Sequence, residues 1–329
     1  MAYKSNNIVA IDDSRVGSFA NVTIQNNGFL EVNSSDGFQG TVAGYTSGGG
    51  ADGAPGGYTN IIDKFPFAAD TNATDVGDLV TVSGFFGGNS SSTNGYKAGG
   101  FPRTPTRSAI EKFPFAVDTN ASFVGNMTTD KNSGASQSSL INGYLVGFAP
   151  TPALNEIEKF PFSTDSNSTD IGDLSQGRDQ GSGQSSTTHG YTSGGNPVLN
   201  TIDKFPFATD TNATDVGDLA QAIQRAAGQS STTSGYASGG EPPLGVNTIQ
   251  KFPFASDTNA TDIGDLTQAR SLSSGQSSTV SGYNSGGMVS VPPIVASNII
   301  EKFPFSTDTN ATDVGDLTVA RRAGAGQQD

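Results

Sequence analysis

Apolar residues in this chain come in short runs, and no run sustains a helical period over a useful length. The stretch "TIDKFPFATDTNATDVGDL" (Thr201 to Leu219) is representative: Ile202, Phe205 and Phe207 stand among polar residues, followed by a cluster of Thr, Asp and Asn. Strand alternation would place Phe205 and Phe207 on one side. Just upstream, "GQSSTTHGYTSGG" (Gly183 to Gly195) holds two further β-compatible runs bounded by glycine. The unit predicts four strands: the Gln-Ser-Ser-Thr-Thr run, the Gly-Tyr-Thr-Ser-Gly-Gly run, Ile202 to Phe207, and Ala213 to Leu219. Pro206 cannot donate a ladder hydrogen bond, so it predicts a strand's end or edge.

The same unit recurs along the chain. The tetrad Lys-Phe-Pro-Phe begins at Lys64, Lys112, Lys159, Lys204, Lys251 and Lys302, in steps of 48, 47, 45, 47 and 51 residues. Such a period belongs to solenoids or propellers, and four antiparallel strands in about 45 residues make a propeller blade. The paired Phe side chains are then expected to pack between neighbouring blades. Gly44-Tyr45 precedes the first tetrad and Leu317 follows the sixth, so six four-stranded blades fit between residues 37 and 317. The tail "TVARRAGAGQQD" resembles the opening of a further unit that stops where the N-terminal "GFQGTVAGYTSGG" takes over. Complementary ends of this kind predict a ring zipped shut, which removes exposed sheet edges. The expected architecture is a six-bladed ring over 35–329 with a short β-rich N-terminal arm over 1–34; a seven-bladed ring using the arm remains open. Within the arm, "NIVAID" and "FANVTI" read as short strands, and the arm either packs on the ring or anchors it to something larger.

A Tyr followed by a Gly pair, an aromatic strand, a polar turn, a "GDL" strand and then an Arg resembles the kelch repeat. The residues that carry the resemblance are Tyr191, Gly194, Gly195, Phe205, Leu219 and Arg225, and in the sixth copy Tyr283, Gly286, Gly287, Phe303, Leu317 and Arg321. It extends over about Gly37 to Arg321 and implies an all-β, kelch-like β-propeller. Phe stands where kelch repeats usually carry Tyr and Trp. The second copy departs further with "SFVGNM" for "ATDVGDL", and the third with "GYLVGF" for "GYxSGG".

Composition narrows the partners. Only 33% of residues are hydrophobic and 43 are Gly, so the regular spacing of the apolar residues is what argues against disorder. A formal net charge of -14 lacks the basic surface that nucleic acid requires. With no Cys there is no disulfide framework and no thiolate chemistry. No apolar stretch approaches the roughly 20 residues of a membrane span, and "MAYKSNNIVAIDDSR" lacks the apolar core of a secretory signal.

Candidate chemistry is sparse, and an enzyme is not expected. The single His, His189, sits on a turn where other copies carry Ser234 and Ser281, which reads as a surface residue. Kelch-like oxidases use Cys and His at a copper site, and this chain has no Cys. No cofactor or metal is expected, although Asp210, Asn212, Asp215 and Asp218, with Asp308, Asn310, Asp313 and Asp316, have the oxygens a calcium ion would take. The same residues make good Asx turns, which is the reading preferred here. Sequons at Asn72, Asn120, Asn167, Asn212, Asn259 and Asn310 recur in phase with the repeat, and so also read as turn structure.

Function is expected on the segments that differ between copies. The stretch from the Gly pair to the tetrad differs in every copy and is rich in Pro, which limits the entropy lost on binding. Tyr58, Phe101, Arg103, Arg107, Val291 and Ile294 in these loops are the predicted partner-contacting residues. The wording of "KFPFxTDTNATDVGDL", "GQSST" and "GYxSGG" also resembles repeats in structural proteins of marine tailed bacteriophages, particularly those of cyanobacteria. That resemblance implies a non-enzymatic virion protein on a fibre, tail or capsid surface, assembled in the bacterial cytoplasm. Its implied partners are other virion proteins through the arm and a host-surface glycan or protein through the loops, with neither nucleic acid nor membrane insertion. A soluble cellular kelch-type scaffold is the alternative.

Overall fold

The structure is a computed structural model. It describes residues 22–24, 30–32, 39–54, 57–101, 108–149, 153–242, 244–289 and 294–329. Among these residues every regular element is a β-strand. The chain divides into two compact units, Met1–Ser35 and Asp36–Asp329. In the first, Val22–Ile24 pairs antiparallel with Leu30–Val32, which falls at the end of "FANVTI"; "NIVAID" lies outside the described residues.

The second unit is a β-propeller arrangement. In the fourth repeat the strands are Ser182–Ser185, His189–Ser193, Leu199–Pro206 and Thr214–Ile223, paired antiparallel in chain order. All four predicted strands are present, with the outer one running four residues further than expected. The third strand of every repeat ends on the tetrad's proline, at Pro66, Pro114, Pro161, Pro206, Pro253 and Pro304, because proline has no N–H to continue the ladder. Four sheets of this unit have four strands each. A fifth has nine: it contains the four-strand pattern twice, joined through the short strand Met288–Val289.

The first repeat takes its inner strand from the other end of the chain. Ala325–Gln328 pairs with Ala43–Gly50, Ala325 opposite Ser47 and Gln328 opposite Gly44. Carbonyl Asp329 O then accepts from the N–H groups of Thr41 and Val42, each at 2.7 Å. The chain ends therefore zip together as their complementary wording predicts.

The repeated words have a common explanation in the contact between successive repeats. Each Gly-Tyr tyrosine is clamped by both tetrad phenylalanines of the next repeat: Tyr144 meets Phe205 at 5.5 Å between ring centroids and stacks on Phe207 at 4.7 Å. The same clamp joins Tyr45 to Phe113 and Phe115, and it closes the ring through Tyr283 with Phe65 and Phe67. Aromatic pairs of this kind contribute about 0.5–1.5 kcal/mol beyond the area they bury. The glycine before each tyrosine makes room for the clamp. Gly190 lies opposite Phe205, and a Cβ there would stand 2.3 Å from the ring's Cζ. The tetrad's lysine pairs with the first Asp of the next repeat's turn, as in Lys159–Asp210 at 2.5 Å and Lys302–Asp70 at 2.5 Å. These exposed pairs are worth about 0–1 kcal/mol each.

Deeper in the same contact lies a buried charge. Arg321 pairs with Asp63, Lys131 with Glu158, Arg178 with Asp203 and Arg270 with Glu301, all with almost no exposure. Each cation ends one repeat's outer strand or follows it, and each acid sits on the third strand of the next repeat. Where the cation's position holds Ser83, the acid Glu111 is met instead by Lys97 of its own repeat, at 3.3 Å. Where it holds Ile223, the acid becomes the neutral Gln250. Charge is thus balanced contact by contact, because an unpaired buried charge costs several kcal/mol.

The irregular copies fit the same frame. Met127 fills the buried place that Leu174 and Leu219 fill elsewhere, and Phe148 is buried where other copies have the second glycine. Lys131 lies over the Phe148 ring, 4.7 Å from its centroid.

Candidate functional site

In each repeat the outer strand leads back to the next repeat's inner strand, and this linker passes beside the loop between the second and third strands. Backbone bridges Gly84–Phe101, Asn132–Ala149, Asp179–Asn196 and Gln224–Glu241 tie the two together. Linkers and variable loops therefore share one face, called here the upper face.

The linkers meet around the axis. Phe85, Ser133, Gln180, Arg225, Leu272 and Ala323 each adopt a left-handed backbone, with φ between 54° and 62°. Their N–H groups donate in a closed circle: Phe85 to Ala323 O, Ala323 to Leu272 O, Leu272 to Arg225 O, Arg225 to Gln180 O, Gln180 to Ser133 O and Ser133 to Phe85 O, at 2.7–2.9 Å. A non-glycine residue in this conformation costs about 1–2 kcal/mol, and a hydrogen bond returns about 0.5–1.5 kcal/mol. The backbone of the ring is fixed while its six side chains all differ, an arrangement that holds variable chemistry in constant geometry.

Below the ring is a cavity of about 170 Å³, lined by ring residues and by the inner strands, including Ser138, Ser185, Ser230 and Ser277. The inner strands approach closely at its waist: a Cβ on Gly183, Gly228 or Gly275 would stand 2.0–2.1 Å from the neighbouring repeat's carbonyl oxygen. At the lower end, Gln39 donates through Nε2 to Ser278 O at 3.1 Å and Ser230 O at 3.2 Å, and Gly40 N donates to Ser277 O. The chain thus enters the propeller across the lower mouth.

The side chains around the upper mouth divide by chemistry. Gln180, Arg225 and Glu241 form a linked polar group: Arg225 Nε donates to Gln180 Oε1 at 2.6 Å, Arg225 Nη1 pairs with Glu241, and Ser271 Oγ donates to Glu241 Oε2 at 3.0 Å. Asp179, 7% exposed, adjoins Gln180; burial raises its pKa, against the hydrogen bond from Asn196 and the charge of Arg225. The opposite side has Phe85, Leu272 and Ala323, with Tyr58 and Phe101 beyond them.

Of the predicted contact residues, Tyr58 and Phe101 come together. Their rings meet edge to face at 6.1 Å, and the Tyr58 ring lies over Gly84. Burial raises the Tyr58 pKa, partly offset by Arg322. Arg322 pairs with Asp52 at 2.9 Å, and Asp52 also accepts from Ala296 N, linking the loops of the sixth and first repeats. Ile294 is 59% exposed at the foot of the sixth repeat's third strand. Arg103, Arg107 and Val291 lie outside the described residues.

Sequence reasoning did not single out the ring as a site. Its signal is weak, since the residue two places before each inner strand differs in all six copies but so does the residue preceding it. The pairing of Arg225 with Arg321 as equivalent residues is corrected by the structure. Arg321 is buried and ends an outer strand, whereas Arg225 stands in the axial ring and is equivalent to Ala323.

The remaining candidates act within turns and contacts. Asp215 Oδ1 accepts from Gly217 N, Asn212 Oδ1 accepts from Asp173 N of the preceding repeat, and Asp210 pairs with Lys159. In the sixth copy Asp313, Asn310 and Asp308 do the same with Gly315, Asp265 and Lys251. The sequon asparagines at Asn72, Asn120, Asn167 and Asn259 likewise accept from the preceding repeat's backbone. His189 Nδ1 lies 2.8 Å from Thr188 Oγ1, and burial, followed by the charge of Lys204, lowers its pKa.

No protein-family model matches the chain, and no curated protein sequence matches it.

Proposed function

We propose that this chain is a non-enzymatic binding protein. In this reading it is a kelch-like propeller of six blades, the nine-stranded sheet counting as two blades joined by an edge-to-edge strand. The cyclic order of inner-strand contacts and the six-membered ring of linker hydrogen bonds favour that count. The carrying observation is the contrast between the contacts and the upper face. The clamps, lysines and turns are repeated almost word for word, while the mouth ring and the loops around it differ in every repeat. Uniform contacts build a rigid ring, and variation confined to one face is where binding is expected.

The wording of the repeats further favours a virion protein of a tailed phage, on a fibre, tail or capsid surface. Residues 1–34 would attach it to other virion proteins, and the upper face would be presented to a host surface or to a neighbouring subunit. Mass spectrometry of purified particles, followed by cryo-electron microscopy of the substructure containing the chain, tests this. Particles lacking the protein would overturn the virion reading in favour of a cellular scaffold. Deleting residues 1–34 should leave a folded ring that no longer incorporates.

A further inference from the structure

The geometry points to a saccharide-binding site at the upper mouth, one sugar ring resting on Phe85 and hydrogen-bonded by Gln180 and Arg225, with Glu241 behind them holding Arg225 in place. The inference deepens the binding reading above and rests on it. In the cyclic order of the six-membered ring, Phe85 and Arg225 are three places apart in either direction, so they face each other across the axis. Both line the cavity. One side of the mouth is thus an aromatic and aliphatic plate of Phe85, Leu272 and Ala323, and the other is a polar group held in place by its own hydrogen bonds.

A pyranose has matching chemistry: an apolar face of C–H groups and a rim of hydroxyls that each donate and accept. The polar side offers both roles. Arg225 and the Gln180 amide, which both line the cavity, supply donors and an acceptor, and because Arg225 is paired with Glu241 the group favours neutral hydroxyls over an anion. A net charge of -14 also disfavours phosphate-rich ligands. The size fits as well. A cavity of about 170 Å³ is smaller than the roughly 300–1,000 Å³ of sites for drug-sized ligands, so it suits one ring of a longer chain. The fixed ring backbone means little order is lost on binding.

The test uses the full chain on an array of bacterial surface oligosaccharides, then calorimetry with the retained glycan and its constituent monosaccharides. Phe85→Asn keeps the left-handed backbone, which Asn tolerates, and removes the plate. Arg225→Gln removes the charged donor. Each should weaken binding at least tenfold, Phe85→Asn with little change in Tm and Arg225→Gln with a lowered Tm because the buried Glu241 loses its ion pair, while Leu140→Ala, on an exposed lower turn, should leave binding unchanged. Retention of no saccharide, or retention unaffected by both mouth variants, would overturn the inference; so would selective capture of peptides at the same residues. The two readings fail separately: a virion protein that binds no sugar loses only this site, and a sugar-binding protein absent from particles loses only its place in the virion.

Discussion

The buried charges between repeats allow an experiment whose control the protein already contains. Arg178 and Asp203 are fully buried and paired, Arg178 Nη1 also donates to Gly194 O and Thr201 O at 3.0 Å, and Asp203 accepts from Ser175 N and Oγ. One repeat further on, Ile223 and Gln250 occupy these positions, and Gln250 Oε1 accepts from Gln221 N at 2.9 Å as Asp203 does from Ser175 N. Replacing Arg178 by Ile alone strands a buried carboxylate, at a cost of about 3–5 kcal/mol. Replacing Asp203 by Gln alone strands a buried guanidinium at a similar cost. The double variant R178I/D203Q reproduces the neutral contact and should cost less than either single, so the coupling in the cycle should be at least about 3–5 kcal/mol, the cost of one stranded charge. For Asp36–Asp329, at about 2.1 cal/mol/K per residue, 3–5 kcal/mol corresponds to a fall in Tm of roughly 5–8 °C. Calorimetry and urea midpoints on the four proteins of the cycle measure it. Single variants that each cost under about 1 kcal/mol, or a double variant as unstable as the sum of the singles, would refute the charge-balance argument.

Three further outcomes follow from the same contacts. Burial raises the pKa of every clamp tyrosine, Tyr191 and Tyr283 to about 12; the folded form holds its phenol protons more tightly, so stability is complete below about pH 10 and falls as pH rises toward 12. Tm should therefore drop over that interval while phenolate absorbance from the clamp tyrosines rises, and clamp phenolates forming near pH 10 in an intact fold would contradict the clamp. For Glu158, burial alone would raise the pKa, but bonds from Lys131, Ser168 and Thr128 outweigh it and hold the carboxyl below its ordinary value. Its stabilisation is present above about pH 4.3 and lost as pH falls through the lowered value, so Glu158→Gln should flatten the acid side of a Tm–pH curve. Ending the chain after Gly324 removes the first repeat's inner strand and the contact from Gln327 Nε2 to Tyr96 O; the ring should open, seen as rapid limited proteolysis, and wild-type resistance would deny the strand its closing role.

The fold was legible because its signals are local and repeated. Glycine before tyrosine, proline inside the tetrad and the Thr-Asp-Asn turn each has a conformational reason that acts within a few residues. Phase along the chain then placed Ala325–Gln328 beside Ala43–Gly50, as found. The candidate site was less legible, because it is assembled by symmetry rather than by sequence neighbours. Phe85 and Arg225 are 140 positions apart, and only closure of the ring sets them face to face. The variable loops drew attention by their length and proline content, yet the ring residues vary just as much with one residue per copy. Aligning by residue type also misled where geometry differed: Arg225 and Arg321 are both arginines near the end of an outer strand, but one turns to the axis and the other is buried between repeats.

The division between constant and variable positions has a physical consequence for how such a chain can change its ligand. A substitution at Tyr144 or Phe205 alters a contact that neighbouring repeats share, and deleting a buried aromatic side chain costs about 3–5 kcal/mol. A substitution at the mouth ring keeps its backbone hydrogen bonds, because these use main-chain N–H and C=O only. The ring already carries Phe, Ser, Gln, Arg, Leu and Ala in one conformation, which shows that this backbone accepts aromatic, polar, charged and aliphatic side chains alike. Specificity at the upper face can therefore be rewritten at a stability cost set mainly by left-handed propensity, about 1 kcal/mol. Swapping Phe85 with Ser133 should accordingly move Tm by less than a single clamp truncation such as Phe205→Ala. A ring swap as costly as the truncation would mean that the mouth is part of the core and not a surface free to vary.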